Sequence, residues 1–292
     1  TAPRQRLRLA IVTETYPPEI NGVANTLWQM VRGLTDLGHE IDLIRPRQEQ
    51  APTVVTPAFV TQHLTTGLPL PGYPGLQFGL PAARLCRRVW SGRRPALVYI
   101  ATEGPLGRSA LKVANALGIP ALTGMHTNFH QYSRHYGVGL LANLVHGYLR
   151  HFHNSAAGTL VPTAEMADTL RADGFERVAV WPRGVDAERF SPQRRQAALR
   201  RAWGLDDGTP GVVYVGRIAP EKNIDLVFRA FAAIRQAHPG AQLIVVGDGP
   251  ERERLATQHP QAIFTGPKTG TELAEHYASG DMFLFPSLTE TF

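Results

Sequence analysis

Short runs of valine, isoleucine and leucine alternate with helical patterns along the whole chain, and this alternation restricts the folds that the chain can adopt. Each run is too short for a helix and is mostly apolar, which is typical of strands buried on both faces of a parallel sheet. Such strands with a helix between them predict βαβ units and an α/β fold. The first series of predicted strands is Leu7–Thr13, Glu40–Ile44, Ala96–Ile100, Ala121–Gly124, Gly158–Val161 and Val178–Trp181.

The strand pattern restarts after an arginine-rich segment, which predicts a second domain. We predict a first domain of residues 1–190, a connection of residues 191–204 with helical character, and a second domain of residues 205–292. The stretch from Gln48 to Gly79 is rich in proline, glycine and threonine, so we expect it to be irregular. The second series of predicted elements is Gly211–Val215, Asn223–Ala237, Gln242–Val246, Ala262–Phe264, Thr271–Ala278 and Met282–Phe285.

Basic charge is concentrated in the first part of the chain. The net charge is +6, yet residues 205–292 carry 7 basic and 11 acidic side chains, while the preceding residues carry 23 and 13. This basic surface could contact an anionic membrane leaflet or could simply be solvated, and no nucleic-acid-binding signature accompanies it. The clustered arginines are Arg84, Arg87, Arg88, Arg93 and Arg94.

The single cysteine, Cys86, excludes an intramolecular disulfide and fits a reducing cytoplasm. No apolar run reaches the roughly 18 residues that a membrane-spanning helix needs, and the first residues contain no signal-peptide cleavage site. We therefore expect a cytoplasmic protein, which could lie peripherally on the inner face of a membrane.

Two features of the first domain lie where parallel strands are predicted to end. Gly22 and Val23 open the first helix, where backbone amides can approach a phosphate at the positive helix end; an ordinary turn is the alternative. The strict GxGxxG fingerprint of nicotinamide and flavin enzymes is absent here. His126 follows the strand Ala121–Gly124, at the sheet edge where open α/β folds bind ligands, although a local hydrogen-bonding role is also possible. The histidine-rich segment around His151 lacks zinc-site spacing, so no metal site is predicted.

The second domain carries two cations after its first predicted strand. Arg217 offers a planar fork for phosphate oxygens and Lys222 a point charge, so the pair could hold a diphosphate and neutralise it as it leaves. A surface ion pair with Glu221 is the alternative. A further glycine turn contains Gly247 and Asp248, and the chain ends in PSLTETF.

In this order and at these strand ends, the segments PPEINGV, HTNF, GRIAPEKN, VGDGP and PSLTETF resemble motifs of the family 4 glycosyltransferases. The resemblance covers essentially the whole chain and is greatest to the branch of GDP-mannose-dependent mannosyltransferases and sulfoquinovosyl and glucosyl diacylglycerol synthases. It implies the GT-B fold, in which two Rossmann-like, doubly wound parallel-sheet domains face a cleft. It also implies a nucleotide-sugar donor, either GDP-mannose or a UDP-sugar, with no further cofactor.

The resemblance assigns roles to individual residues. His126 would contact the donor sugar near its C6 hydroxyl, and Glu290 would hold hydroxyls of the transferred sugar. Arg217 and Lys222 would bind the diphosphate and stabilise the departing nucleotide. The remaining donor-binding residues that the resemblance implies are Gly22, Val23, Gly216, Gly247 and Asp248.

The family pattern continues beyond Phe292 with a second glutamate, further glycine-turn amides and a C-terminal helix, so we expect the second domain to be incomplete. The family is thought to retain anomeric configuration by front-face attack of a hydroxyl acceptor, here a lipid or a glycan, and the lack of an Asp-x-Asp triplet agrees with metal-free catalysis. Two alternatives stay open. One is a catalytically incompetent sugar-nucleotide-binding fragment, and the other is a GT-B epimerase or phosphorylase.

Overall fold

The computed structural model describes residues 6–19, 21–48, 57–69, 77–126 and 139–287. Contacts between Cα atoms divide the chain into two compact units, of which unit 1 runs to Arg183 and unit 2 begins at Gly184. Each unit is built on its own parallel sheet.

Unit 1 contains a seven-stranded sheet and a separate antiparallel pair. Its strands are β1 (Arg8–Val12), β2 (Glu40–Pro46), β3 (Val60–Thr65), β4 (Gly67–Pro69), β5 (Gln77–Gly79), β6 (Leu97–Ile100), β7 (Ala121–Gly124), β8 (Gly158–Val161) and β9 (Val178–Val180). The sheet order is β3-β2-β1-β6-β7-β8-β9, all parallel, while β4 and β5 form the antiparallel pair. The helices are α1 (Gly22–Asp36), α2 (Ala83–Gly92), α3 (Pro105–Ala116), α4 (Gly139–Asn154) and α5 (Ala164–Ala172).

Helices cover both faces of the unit 1 sheet. Neighbouring strand residues point to opposite faces, and Ile11 and Val12 of β1 accordingly belong to different core clusters. Ile11 shares its cluster with Leu27 of α1, whereas Val12 shares its cluster with Leu106 of α3. The predicted doubly wound arrangement is therefore confirmed, and it explains why the inner strands are mostly apolar.

Unit 2 repeats this arrangement on a smaller scale. Its elements are α6 (Ala197–Ala202), β10 (Gly211–Val215), α7 (Ile224–Ala237), β11 (Gln242–Val246), α8 (Arg252–Gln258), β12 (Ile263–Gly266), α9 (Gly270–Ser279) and β13 (Met282–Phe283). The parallel sheet has the order β12-β11-β10-β13. Val212 packs in the cluster of Val227 from α7, and Val213 packs in the cluster of Trp203, so both faces of β10 are buried.

The described part of the stretch from Gln48 to Gly79 is not irregular, and that prediction was wrong. β3 pairs in parallel with β2, from Ile41 opposite Val60 to Pro46 opposite Thr65. As the outer strand of the sheet, β3 is only partly buried and carries polar side chains, so it lacks the apolar run by which the other strands were predicted.

The arginine-rich segment between the two strand series is anchored in unit 2 by Arg200 of α6, a buried residue that is 3% exposed. Its guanidinium donates hydrogen bonds to the Asp281 carboxylate at 2.8 Å and to the backbone carbonyls of Ser279, Asp206 and Thr209 at 3.0, 2.7 and 2.9 Å. Although burial opposes it, hydrogen bonds from the Gly211 amide and the arginines hold the pKa of Asp281 below its ordinary value. The two terminal nitrogens of the buried guanidinium are thus paired, while Nε has no hydrogen-bond partner among the described residues.

Replacing Arg200 by alanine should lower the free energy of unfolding of unit 2 by about 2–4 kcal/mol, because the carbonyls of Ser279, Asp206 and Thr209 would lose the buried donor that they share. Arg201→Ala changes the exposed neighbour in the same helix and should cost less than about 0.5 kcal/mol. Urea unfolding followed by circular dichroism compares the two variants. If Arg200→Ala lowered the free energy of unfolding no more than Arg201→Ala does, the prediction would be contradicted.

Candidate functional site

The first turn of α1 presents free backbone donors at the carboxyl end of β1. The Asn21 side chain caps the helix by accepting a hydrogen bond from the Ala24 amide at 2.8 Å. The amides of Gly22 and Val23 precede Ala24 and have no acceptor among the described residues. Amides at a helix start combine with the helix dipole to favour an anion, so this turn can bind a phosphate oxygen.

His126 lies just after β7 at the same edge of the unit 1 sheet, and both of its ring nitrogens have protein partners. Nε2 is 2.9 Å from the Tyr99 hydroxyl at the end of β6, and a guanidinium nitrogen of Arg183 donates to Nδ1 at 3.3 Å. Burial, reinforced by the Arg183 charge, lowers the pKa of His126 to about 4. The imidazole is therefore neutral at physiological pH.

Arg183 is a site residue that the sequence prediction missed, because it lies in the predicted first domain but belongs to none of the motif segments. It follows β9 closely, and its guanidinium lies between His126 and the start of α1: a Cβ placed on Gly22 would be 3.8 Å from Nη1. A cation directly after a parallel strand was the signal that could have identified it. The structure thus brings Gly22, His126 and Arg183 together.

Glu14 follows β1 and was also missed, since a single acid after a strand matches no motif. Its carboxyl group lies beside Gly104, where an added Cβ would be 2.1 Å from Oε1. Burial raises the pKa of Glu14 to about 7, against hydrogen bonds from the backbone of Leu106 and Gly79, and the Glu103 charge adds to the rise. A carboxyl group with this pKa can exchange a proton near neutral pH.

In unit 2, Arg217 and Lys222 both lie in the segment that joins β10 to α7. The Tyr214 hydroxyl donates to the Arg217 carbonyl at 2.8 Å and so supports the backbone after the strand. The Arg217 guanidinium donates to Glu221 at 3.4 Å, and its side chain remains 44% exposed. The ion pair with Glu221 is therefore present, and the Arg217 side chain is partly exposed.

Gly216 and Gly247 bring two loops of unit 2 into close contact. The Gly216 amide donates to the Val246 carbonyl, and the Gly247 amide donates to the Gly266 carbonyl, both at 3.0 Å. A Cβ on Gly247 would be only 1.9 Å from the Gly216 carbonyl oxygen, and Gly247 has a φ of 142°. Both amides are used in this packing, so the structure gives these glycines a structural role beside the predicted ligand contact.

Asp248 contributes to the same contact through its backbone. Its carbonyl accepts from the Ile218 amide at 2.9 Å, while its carboxylate accepts from the Gly249 amide at 2.8 Å. The side chain is 57% exposed. Its predicted role near the nucleotide stays a prediction.

Glu290 and most of the HTNF segment, residues 127–129, lie outside the described residues. Among the residues that are described, no three His, Cys, Asp or Glu side chains are grouped to hold a metal ion. His153 is a buried core residue whose Nδ1 is 2.8 Å from the Thr123 hydroxyl. Cys86 is also buried, and burial raises the pKa of its thiol to about 12, as expected for a packing residue.

The basic cluster predicted from the sequence is exposed on and after α2. Within the part of the chain that the structure describes, no helix combines the length and the hydropathy needed to span a bilayer.

Comparison with known proteins shows that both parts of the chain match glycosyltransferase family models. Residues 20–189 match the model of Glycosyltransferase Family 4, and residues 209–292 match that of the Glycosyl transferases group 1. The chain is 36% identical over 292 residues to a GDP-mannose-dependent alpha-mannosyltransferase of Mycobacterium tuberculosis, and the match covers 98% of this chain and 74% of the relative. A mannosyltransferase of the same description from Mycolicibacterium smegmatis is also 36% identical, with 98% and 75% covered.

Comparison with solved structures agrees with these family matches. The chain resembles the sucrose-phosphate synthase of Thermosynechococcus elongatus with a TM-score of 0.74 at 17% identity, and the match covers 98% of this chain and 77% of that structure. At this identity the likeness concerns the fold, which is GT-B. From the family matches and the 36% identical relatives, we conclude that the chain belongs to Glycosyltransferase Family 4 and is a glycosyltransferase.

Proposed function

We propose that this glycosyltransferase moves mannose from GDP-mannose to a hydroxyl acceptor with retention of anomeric configuration. The observation that carries the proposal is the partly exposed Arg217 side chain after β10, with Lys222 in the same connecting segment. Relatives that are 36% identical and are named GDP-mannose-dependent alpha-mannosyltransferases support the choice of donor.

In this proposal the two cations of unit 2 neutralise the leaving group. As the bond between the sugar and the diphosphate breaks, negative charge grows on the phosphate oxygens. The planar Arg217 fork can bind two of these oxygens and Lys222 can add a point charge, so both contacts strengthen as the bond breaks. The cations would thereby take the part that a divalent metal takes in other transferases.

Unit 1 has groups of its own for which the family resemblance implies donor contacts. The Gly22 and Val23 amides donate to a phosphate oxygen, and the neutral His126 contacts a hydroxyl of the mannose. A neutral imidazole suits this role because one of its ring nitrogens keeps a lone pair, whereas both nitrogens of an imidazolium are donors. The pKa of about 4 ensures this neutral state.

The chemical step then needs no protein nucleophile. The acceptor oxygen forms its bond to the anomeric carbon on the face from which the diphosphate leaves. The bond between that carbon and the phosphate oxygen breaks, and the hydroxyl proton passes to the departing phosphate. Attack and departure on one face give a product with the configuration of the donor.

The exposed arginines of α2 favour an acceptor that is held at an anionic surface, such as a lipid or a glycan of a membrane. Peripheral contact through this helix would bring the chain to such an acceptor. If the acceptor is instead a soluble molecule, the arginines of α2 need no membrane partner and form an ordinary solvated surface.

Calorimetric titration with GDP, GDP-mannose and UDP-glucose tests the donor site. We expect saturable binding of GDP and GDP-mannose, and Arg217→Ala and Lys222→Ala should each weaken it about 10- to 100-fold, because each removes a charged contact to the diphosphate. Arg229→Ala, which changes an exposed arginine of α7, is the matched control and should bind as the unmodified chain does. Equal binding by all variants, or preference for UDP-glucose, would contradict the proposal.

Retention can be measured without knowing the acceptor, because water can accept the sugar slowly. Proton NMR at early times, before mutarotation, should show α-mannose as the first product from the α-linked donor. β-Mannose as the first product would exclude the front-face step. Binding of GDP-mannose with no turnover on water or on membrane lipids would favour the reading of the chain as a noncatalytic sugar-nucleotide-binding protein.

A further inference from the structure

Glu19 lies between β1 and α1, just before the helix start, and the proposed chemistry does not use its carboxyl group. Both carboxyl oxygens accept hydrogen bonds. The Thr15 hydroxyl donates to Oε2, and the Asn21 side-chain amide donates to the same oxygen at 3.5 Å. The Gln48 side-chain amide donates to Oε1. The carboxyl group therefore joins the turn before α1 to the segment that follows β2.

The hydrogen bonds on the α1 side of Glu19 have only one possible direction. The Ala24 amide can only donate, so Oδ1 of Asn21 accepts it at 2.8 Å, and Nδ2 of Asn21 faces Thr15. Nδ2 donates to the Thr15 hydroxyl oxygen at 2.7 Å. The single hydroxyl proton of Thr15 is then left for Glu19. This side of the network thus offers donors to the carboxyl group.

The β2 side of Glu19 also offers a donor. A guanidinium can only donate, so Gln48 presents Oε1 to Nη1 of Arg45 at 3.4 Å and turns Nε2 towards Glu19. Arg45 is 9% exposed, donates from Nε to Gln62 at 3.0 Å, and lies 5.9 Å above the centre of the Tyr16 ring. These contacts hold the guanidinium in place, and the guanidinium in turn fixes the orientation of the Gln48 amide.

Only an ionised carboxyl group can satisfy both sides of this network. A carboxylate accepts at both oxygens, whereas a protonated carboxyl group, or the isosteric amide of a glutamine, carries a donor at one end. That donor would face either Thr15 or Gln48, and one polar hydrogen would be left without an acceptor. The arrangement therefore requires the negative charge of Glu19.

The surroundings of Glu19 set the conditions under which this charge is present. Burial raises the pKa of Glu19, while the hydrogen bonds from Thr15 and Gln48 and the charge of Arg45 oppose the rise. Arg45 is the charged group that faces Glu19 from β2. Tyr16, in the same turn as Glu19, stays neutral because burial raises its pKa to about 12.

We propose that Glu19 is a positioning residue for the first turn of α1. By fixing the Asn21 cap on the third amide of the helix, its carboxylate leaves the first two amides, those of Gly22 and Val23, available to a phosphate. These two amides have no acceptor among the described residues. The phosphate part of this inference rests on the proposed function, whereas the network does not.

Hydrogen exchange followed by nitrogen-15 NMR tests the network directly. The Ala24 amide should be protected in the unmodified chain, and Glu19→Gln should lower this protection about 10-fold, because the Asn21 cap loses its fixed orientation. Thr15→Val removes the hydroxyl between the two side chains and should have the same effect, so it replaces Glu19→Gln if that variant does not fold. Glu165→Gln, at an exposed glutamate in the first turn of α5, should leave the Ala24 protection unchanged.

Calorimetric titration with GDP at a series of pH values tests the consequence for the ligand. Near neutral pH, Glu19→Gln should weaken GDP binding about 10-fold, the worth of one hydrogen bond, while Glu165→Gln should bind as the unmodified chain does. As the pH falls, Glu19 takes up a proton and the unmodified chain loses the same network. The ratio of the two dissociation constants should therefore approach one. Protonation of the phosphate affects both proteins and cancels in this ratio, and thermal unfolding shows whether each variant is folded.

Three results would overturn the inference: an Ala24 protection that neither Glu19→Gln nor Thr15→Val lowers, equal GDP binding by the unmodified chain and the folded variant near neutral pH, or a ratio of dissociation constants that stays constant as the pH falls. Failure of the proposed function looks different. In that case GDP would not bind to the unmodified chain at any pH, while the exchange rates would still decide whether Glu19 fixes the cap.

Discussion

Parallel pairing is the constraint on which the candidate site depends. Because β1, β6 and β7 run in the same direction in adjacent positions, the residues at and after their carboxyl ends leave the sheet at one edge. Glu14, Tyr99, His126 and Arg183 are far apart in the sequence, yet the sheet places all of them there. The candidate site residues of unit 1 are thus brought together by the common direction of the strands and not by one contiguous motif.

Sequence reasoning succeeded where local patterns are strong and failed where the decisive interaction is distant. The strands Gly158–Val161 and Gln242–Val246 were predicted with the bounds that the structure shows, because short runs rich in valine, leucine and isoleucine mark them. β3 was missed because an outer strand needs only one buried face. Arg183 was missed because its neighbours His126 and Gly22 come from other elements, which no local pattern reveals.

Glycines at strand ends illustrate why a motif can be recognised without its mechanism. Gly247 belongs to a segment that resembles a donor-binding turn, but its immediate physical role is to let two loops approach. Gly124 likewise makes space for a hydrogen bond between two other side chains. The sequence analysis singled out Gly247 but not Gly124, and at both positions the reason for a glycine depends on the atom that a Cβ would displace.

The anchoring of α6 has a consequence for dividing the protein into independent pieces. A cut at Gly204, where the strand pattern resumes, would remove Arg200 and leave the Asp281 carboxylate and the carbonyls of Asp206 and Thr209 without their shared donor. A piece that starts at Gly184 retains this cation. The limits of a unit that can fold alone are therefore set by where a buried charge finds its partners, and a short helix outside the sheet can be as indispensable to autonomy as a strand within it.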